Sequence, residues 1–202
     1  MGNSMKKGEV QIVIEGCPGS GKSSALFRLK KGETLLTPTP GGDGFFVENL
    51  SHLGSALNVW EVHSETVREK CLSTARALCY VVDCKEDLDG IDRAKAKLHA
   101  TMSAFASQTP RKCFTVLVLA NKQDAAGAMA PGKLERALGL SSRSDSQTWS
   151  WKVQGCSATQ GSGLREGMDW LATAVRAKRT RDSNHRRIAK RASRLSVEAP
   201  VA

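Results

Sequence analysis

No apolar run in this 202-residue chain approaches the ~20 residues that a membrane-spanning helix needs, and no secretory hydrophobic segment is present. The six cysteines (Cys17, Cys71, Cys79, Cys84, Cys113 and Cys156) include no C-x-x-C pair. The four histidines are scattered without ligand spacing. A zinc site is therefore not expected. Several of the cysteines lie inside apolar, strand-like runs, where Cys acts as a small buried hydrophobe, so a reduced, cytoplasmic setting is expected. No internal repeat is visible. Acidic residues are scarce toward the C-terminus. From Arg176 onward, nine Lys and Arg face only Asp182 and Glu198, so this segment holds +7 of the net charge of +10. The body is only mildly basic. The length suits one α/β domain with an appendage and allows a substantial core.

What is present centres on Gly16-Cys17-Pro18-Gly19-Ser20-Gly21-Lys22-Ser23, which fits the phosphate-loop pattern G-x-x-x-x-G-K-[ST]. Glycines allow the backbone to curl with its N–H groups inward, a nest for anionic oxygens. Lys22 is placed to reach β- and γ-phosphates, and the Ser23 hydroxyl to ligand Mg²⁺. The flanks agree with that pattern. Val10-Gln11-Ile12-Val13-Ile14 reads as a strand, and Ala25, Leu26 and Leu29 among Arg28, Lys30 and Lys31 read as a helix. The positive end of that helix would face the phosphates.

Further along, residues 35–44 are rich in Pro and Gly and predict a loop. Phe45 to Glu48 and Leu57 to Val62 predict a hairpin whose turn runs from Leu50 to Ser55. His63 to Ser73 is polar and charged, without an assigned element. Ala77 to Asp83 and Thr115 to Ala120 are nearly continuous apolar runs, as in strands covered on both faces. Ile91, Ala94, Leu98, Met102 and Phe105 mark one face of a helix ending near Pro110. Pro131 opens a helix that stops at Gly139. Trp149 to Val153 alternates like a strand, and Leu164, Met168, Leu171, Ala172 and Val175 mark a last amphipathic helix. Strands alternating with helices predict a mostly parallel sheet covered on both faces.

At the exit of one buried strand stands Asn121-Lys122-Gln123-Asp124. A carboxylate there can accept both the N1–H and the 2-amino group of guanine. Adenine lacks that pair of donors, so Asp124 would discriminate between the bases. Lys122 would lie along the base and Asn121 would tie the loop to its neighbours. Beyond the next strand, the backbone N–H groups of Cys156-Ser157-Ala158 are candidates to meet the guanine oxygen. Three such stretches in this order, each at a strand's C-terminal end, suit the ligand-binding rim of an open α/β sheet.

With these anchors the chain resembles a small GTPase of the Arf and Arf-like family, from about Val10 to about Val175. The likeness extends to Arg28-Leu29-Lys30-Lys31-Gly32-Glu33, Pro38-Thr39, Phe45-Phe46-Val47-Glu48, Val81-Val82-Asp83, Leu138-Gly139-Leu140 and Gly163 to Leu171. It implies a P-loop NTPase fold of the small-GTPase kind, a six-stranded, mostly parallel sheet flanked by about five helices. Two switch loops would be held by the γ-phosphate and Mg²⁺. The implied domain spans 10–177, between a short arm (1–9) and a basic tail (178–202). The implied nucleotide contacts are Gly16, Gly19, Ser20, Gly21, Lys22, Ser23, Ser24, Thr39, Asn121, Lys122, Asp124, Ser157 and Ala158. Ser23 and Thr39 would hold Mg²⁺, with Glu61 acting through a water. GTP and GDP are the implied ligands, and an effector, an exchange factor and an activating protein the implied partners of a monomer.

The second switch departs from the family's W-D-x-G-G-Q, for the matching residues are Trp60-Glu61-Val62-His63-Ser64-Glu65. Glu61 keeps the carboxylate but extends it by one bond, about 1.5 Å. Ser64 replaces a glycine that approaches the γ-phosphate. Glu65 replaces the glutamine that orients the attacking water, so hydrolysis is expected to be slow or lost. Gly42-Asp43-Gly44 reads as an insertion in the first switch. The family's amphipathic N-terminal helix is missing, although Met1-Gly2-Asn3 resembles an Arf start. Gly2 stands at the myristoylation position, but Lys6 occupies the place of the usual Ser or Thr. The tail is either a solvated extension or an electrostatic contact with anionic membrane. Nucleic acid is disfavoured, since no aromatic residues interleave with its charges. Two other readings remain at this level. One is a P-loop small-molecule kinase, disfavoured because Asn121 to Asp124 would have no role and an arginine-rich lid is absent. The other is a non-switching binding scaffold on a GTPase fold.

Overall fold

The computed structural model describes residues 10–31, 45–52, 55–62, 64–108, 114–141 and 149–177. The expected N-terminal arm and basic tail, Gly2, Thr39, the 42–44 insertion and His63 lie outside them. In chain order the elements are β1 (Val10–Gly16), α1 (Lys22–Lys31), β2 (Phe45–His52), β3 (Ser55–Val62), α2 (Glu65–Thr74), β4 (Ala77–Asp83) and α3 (Leu88–Gln108). Then follow β5 (Phe114–Asn121), α4 (Pro131–Ala137), β6 (Trp149–Gly155) and α5 over residues 164–177.

The six strands form one sheet in the order β2-β3-β1-β4-β5-β6. Every neighbouring pair is parallel except the β2–β3 hairpin. The C-terminal ends of β1, β3, β4, β5 and β6 therefore share one rim. Alternation along the buried strands divides the core. Val13, Leu78, Tyr80, Val82, Val116 and Val118 pack beneath α2, α3 and α4 with Leu72, Leu98, Met102, Phe105 and Leu134. Ile12, Ile14, Cys79, Val81, Leu117 and Leu119 pack on the opposite face, beneath α1 and α5, with Leu26, Leu164, Met168 and Leu171. Because both faces are covered, these strands read as apolar runs rather than as alternating sequence. Tyr80 is fully buried, and its hydroxyl donates to the Ala94 carbonyl at 3.0 Å. Phe105 meets Phe114 edge-to-face, with ring centroids 5.1 Å apart.

Local chemistry sets the ends of several elements. Asp87 accepts the Gly90 N–H at 2.8 Å, which satisfies a donor at the start of α3. Pro131 begins α4, and Gly139 at φ +70 follows its end. Two sequence expectations change. The hairpin ladder continues from Phe45↔Val62 to His52↔Ser55, so Leu50 to His52 and Ser55 are strand rather than turn. The polar stretch after His63 contains a helix, α2. Its inward-facing set is small, with only Cys71 and Leu72 buried, so no apolar stripe announced it. The described cysteines, Cys17, Cys71, Cys79, Cys84 and Cys156, are free thiols.

Candidate nucleotide-binding site

The turn between β1 and α1 has no room for side chains at two points. A Cβ on Gly16, at φ +155, would stand 2.2 Å from the Val81 carbonyl oxygen. One on Gly21, at φ +94, would stand 2.3 Å from Asn121 Nδ2. Both glycines are therefore structural necessities of the loop. Lys22 folds back over it, donating to the carbonyls of Cys17 (2.9 Å) and Gly16 (3.3 Å). Burial lowers the Lys22 pKa below its ordinary value, against the opposing pull of Glu61. Such an ammonium is poised to gain from an anion. Ser20 is wholly buried, and its hydroxyl has no hydrogen-bond partner among the described residues. Gly19 lies in the exposed turn, and Ser24 is half-buried in the first turn of α1.

Ser23 Oγ donates to Glu61 Oε1 at 2.8 Å, and Glu61 is only 3% exposed at the end of β3. The longer side chain thus delivers its carboxylate directly to the phosphate-loop hydroxyl. Two hard oxygen donors meeting beside a phosphate loop fit Mg²⁺, which binds few protein ligands and keeps water and phosphate oxygens. Among the described residues no cluster of three or more His, Cys, Asp or Glu forms an all-protein cage. Thr39 lies outside the described residues.

The purine end is organised by Asn121. Its Nδ2 donates to the Ser20 carbonyl at 2.8 Å, and its Oδ1 accepts the Ala158 N–H at 2.9 Å. One side chain thereby fastens the phosphate loop, the β5 exit and the β6 exit together. Lys122 has a positive φ of 65° and pairs with Asp83, which faces Asn121 across the β4–β5 ladder. Asp124 is exposed, and Thr159 Oγ1 donates to its Oδ2 at 3.1 Å. A hydrogen bond from Ser157, with smaller help from Thr159 and Lys122, holds the Asp124 carboxyl below the ordinary carboxylate value despite some opposing desolvation.

The backbone donors expected at 156–158 are already engaged. The Cys156 N–H meets Ala120 O, the Ser157 N–H meets Ser162 O, and the Ala158 N–H meets Asn121. The hydroxyls of this loop turn to Asp124 and to each other, with Thr159 Oγ1 donating to Asp124 and lying 2.9 Å from Ser157 Oγ. Sequence reasoning passed over Thr159 and Asp83. Asp83 was detectable as a carboxylate at the end of a buried strand, and Thr159 as a hydroxyl two residues beyond Ser157. Arg28, too, went unassigned. From α1 it donates to the Gln160 carbonyl at 2.6 Å and steadies the same loop.

Phosphate loop, base-reading loop and β6 exit meet on one rim, and over this architecture the profile of the ADP-ribosylation factor family matches residues 2–175. The chain belongs to that family. ADP-ribosylation factor-like protein 1 of Saccharomyces cerevisiae is 35% identical over 173 residues, covering 83% of this chain and 88% of the relative. ADP-ribosylation factor-like protein 3 of Chlamydomonas reinhardtii is 31% identical, covering 87% and 96%. In structure the chain resembles the Arl6 BBS3 small GTPase of Trypanosoma brucei, solved with the nucleotide analogue GppNp. That match has a TM-score of 0.69 at 22% identity and covers 84% of this chain and 98% of the other. The P-loop NTPase fold and the Arf-like membership expected from the motifs therefore hold. This Arf-family chain is a nucleotide-binding regulatory GTPase by kinship, which sets aside the kinase reading.

Its second switch region is individual. Ser64 adopts an ordinary extended conformation (φ −101°, ψ 131°) just before α2. Glu65, in the slot of the water-orienting glutamine, is exposed and paired with Arg68 at 2.9 Å. Arg68 in turn reaches the buried Glu15.

Proposed function

We propose that this Arf-like protein binds GTP and GDP with Mg²⁺ and acts as a cytoplasmic regulatory protein whose hydrolysis is slow or lost. It would present its switch segments to an effector, in membrane traffic or a related assembly, under an exchange factor and an activating protein. The observation that carries the nucleotide reading is the bridging of three loops by Asn121, which aligns Lys22 for phosphate and Asp124 for the base. The Ser23–Glu61 contact supports Mg²⁺ at the usual place, with Glu61 standing in for aspartate.

Slow hydrolysis is supported by the chemistry at Glu65. A carboxylate lacks the amide donor that orients water, repels the γ-phosphate, and here is drawn to Arg68. The test is the nucleotide that stays bound through purification, followed by single-turnover hydrolysis. Retained GTP or GDP with very slow turnover is the expected result. Rapid intrinsic turnover would overturn the slow-hydrolysis part, and adenine nucleotide in the site would overturn the whole reading. An empty pocket would instead favour the non-switching scaffold, which the Arg68–Glu65 pair also suits.

A further inference from the structure

The residue just before the phosphate loop is a buried acid. Glu15, 5% exposed, is the penultimate residue of β1, and its carboxylate meets side chains of α2 and α3. Its Oε1 accepts Arg68 Nε at 2.6 Å, and its Oε2 accepts Arg68 Nη2 at 3.4 Å and the Thr101 hydroxyl at 2.8 Å. Arg68 Nη2 also donates to Thr101 Oγ1 at 3.0 Å, and Nη1 donates to Glu65. One helical turn before Thr101, Lys97 donates to the Gly16 carbonyl at 3.1 Å, the same carbonyl that Lys22 touches. Strand β1 and helices α2 and α3 are thus joined through one charged cluster at the root of the phosphate loop.

We propose that Glu15, Arg68 and Thr101 form a clasp that fastens α2 to β1, so that α2 keeps one position whichever guanine nucleotide is bound. Arg68 is then a positioning residue, which draws Glu65 to itself and withholds it from the nucleotide. The inference rests on the nucleotide reading above and adds what happens to the second switch. Its physical basis is the location of Glu15. Movement of α2 that carried Arg68 away would leave the buried carboxylate, among the described residues, with the Thr101 hydroxyl as its side-chain hydrogen-bond donor and without its guanidinium, disfavouring the open position by more than about a hundredfold. An exposed pair such as Glu65–Arg68 would resist far less. The restraint therefore comes from Glu15 and Thr101, and Glu65 is the residue restrained.

Hydrogen exchange of the α2 amides in the full chain tests this, after loading with GDP or with a non-hydrolysable GTP analogue. The two loaded forms are expected to exchange over 65–74 at rates within about threefold of each other. A tenfold or larger difference would overturn the clasp. Arg68→Leu should accelerate α2 exchange by at least about tenfold while β4 and β5 keep their protection. Unchanged exchange in this variant would also overturn it. Glu65→Gln should leave α2 protected, because Glu15 still holds Arg68, and accelerated exchange there would count against the assignment. Should Arg68→Leu fail to fold, Thr101→Val removes one arm of the clasp, and loosened or unchanged α2 amides decide the matter. Uptake of neither nucleotide would sink the nucleotide reading alone. Arg68→Leu and the unmodified chain, compared without nucleotide, would then judge the clasp.

Discussion

Lys22 donates to two carbonyls of its own loop, with its charge disfavoured by burial. Bound phosphate favours the charged form, so binding raises the Lys22 pKa from its lowered value. Between the free and bound values, nucleotide binding must take up protons. The sign follows because the complex holds more protons than the free protein in that alkaline window. Calorimetry in two buffers of different ionisation enthalpy should show the difference as pH approaches 10.5, and an enthalpy indifferent to buffer would contradict it. At the other end, Asp124→Ala would leave two donors of guanine without their acceptor. Each such loss costs about 1–3 kcal/mol, so affinity for GDP should fall by at least tenfold while ADP binding stays equally weak. Competition binding measures both. At this scale the motifs were readable because each fixed residue has a chemical duty. Asn121 showed its identity in the sequence, but its service to Ser20 and Ala158 depends on loops that only folding brings together.

Among elements, α2 and α3 contrast most. Helix α3 was legible because Ile91, Ala94, Leu98, Met102 and Phe105 repeat at three and four residues and are all buried. Leu98→Ala should therefore destabilise the protein by about 2–5 kcal/mol, read from denaturant unfolding. Helix α2 went unseen because Cys71 and Leu72 are its only buried residues. What holds it is polar and long-range, since Arg68 finds Glu15 across 53 positions of chain. Burial alone would lower the Arg68 pKa, but the hydrogen bonds and charges of Glu15 and Glu65 together raise it. The guanidinium accordingly stays charged across the working pH range. For the same reason Glu65→Gln should not by itself restore ordinary GTP turnover: Ser64 and Glu61 also differ from the family pattern, and α2 remains fastened. Single-turnover assays would show a rate still far below that of a normally switching relative.

For the molecule as a whole, the charge is segregated. Residues from Arg176 onward carry most of the excess, and each Lys or Arg near an anionic bilayer contributes about 1 kcal/mol of attraction. We propose a peripheral membrane role for the segment after Ala177. Removing 178–202 should abolish co-sedimentation with phosphatidylserine vesicles at low salt while leaving nucleotide binding intact. Equal sedimentation of both forms would dispose of that role. No described helix is long and apolar enough to cross a membrane.

The sequence by itself determined the phosphate loop, the base-reading loop, the parallel strands and the family. These rest on local spacing and on residue chemistry that does not depend on distant partners. Tertiary structure alone decided that Glu61 meets Ser23, that the 156–158 amides are engaged within the protein, and that Glu15 holds Arg68. Those outcomes turn on which groups converge at one sheet rim, and a hydrogen bond between residues dozens of positions apart leaves no periodic trace along the chain.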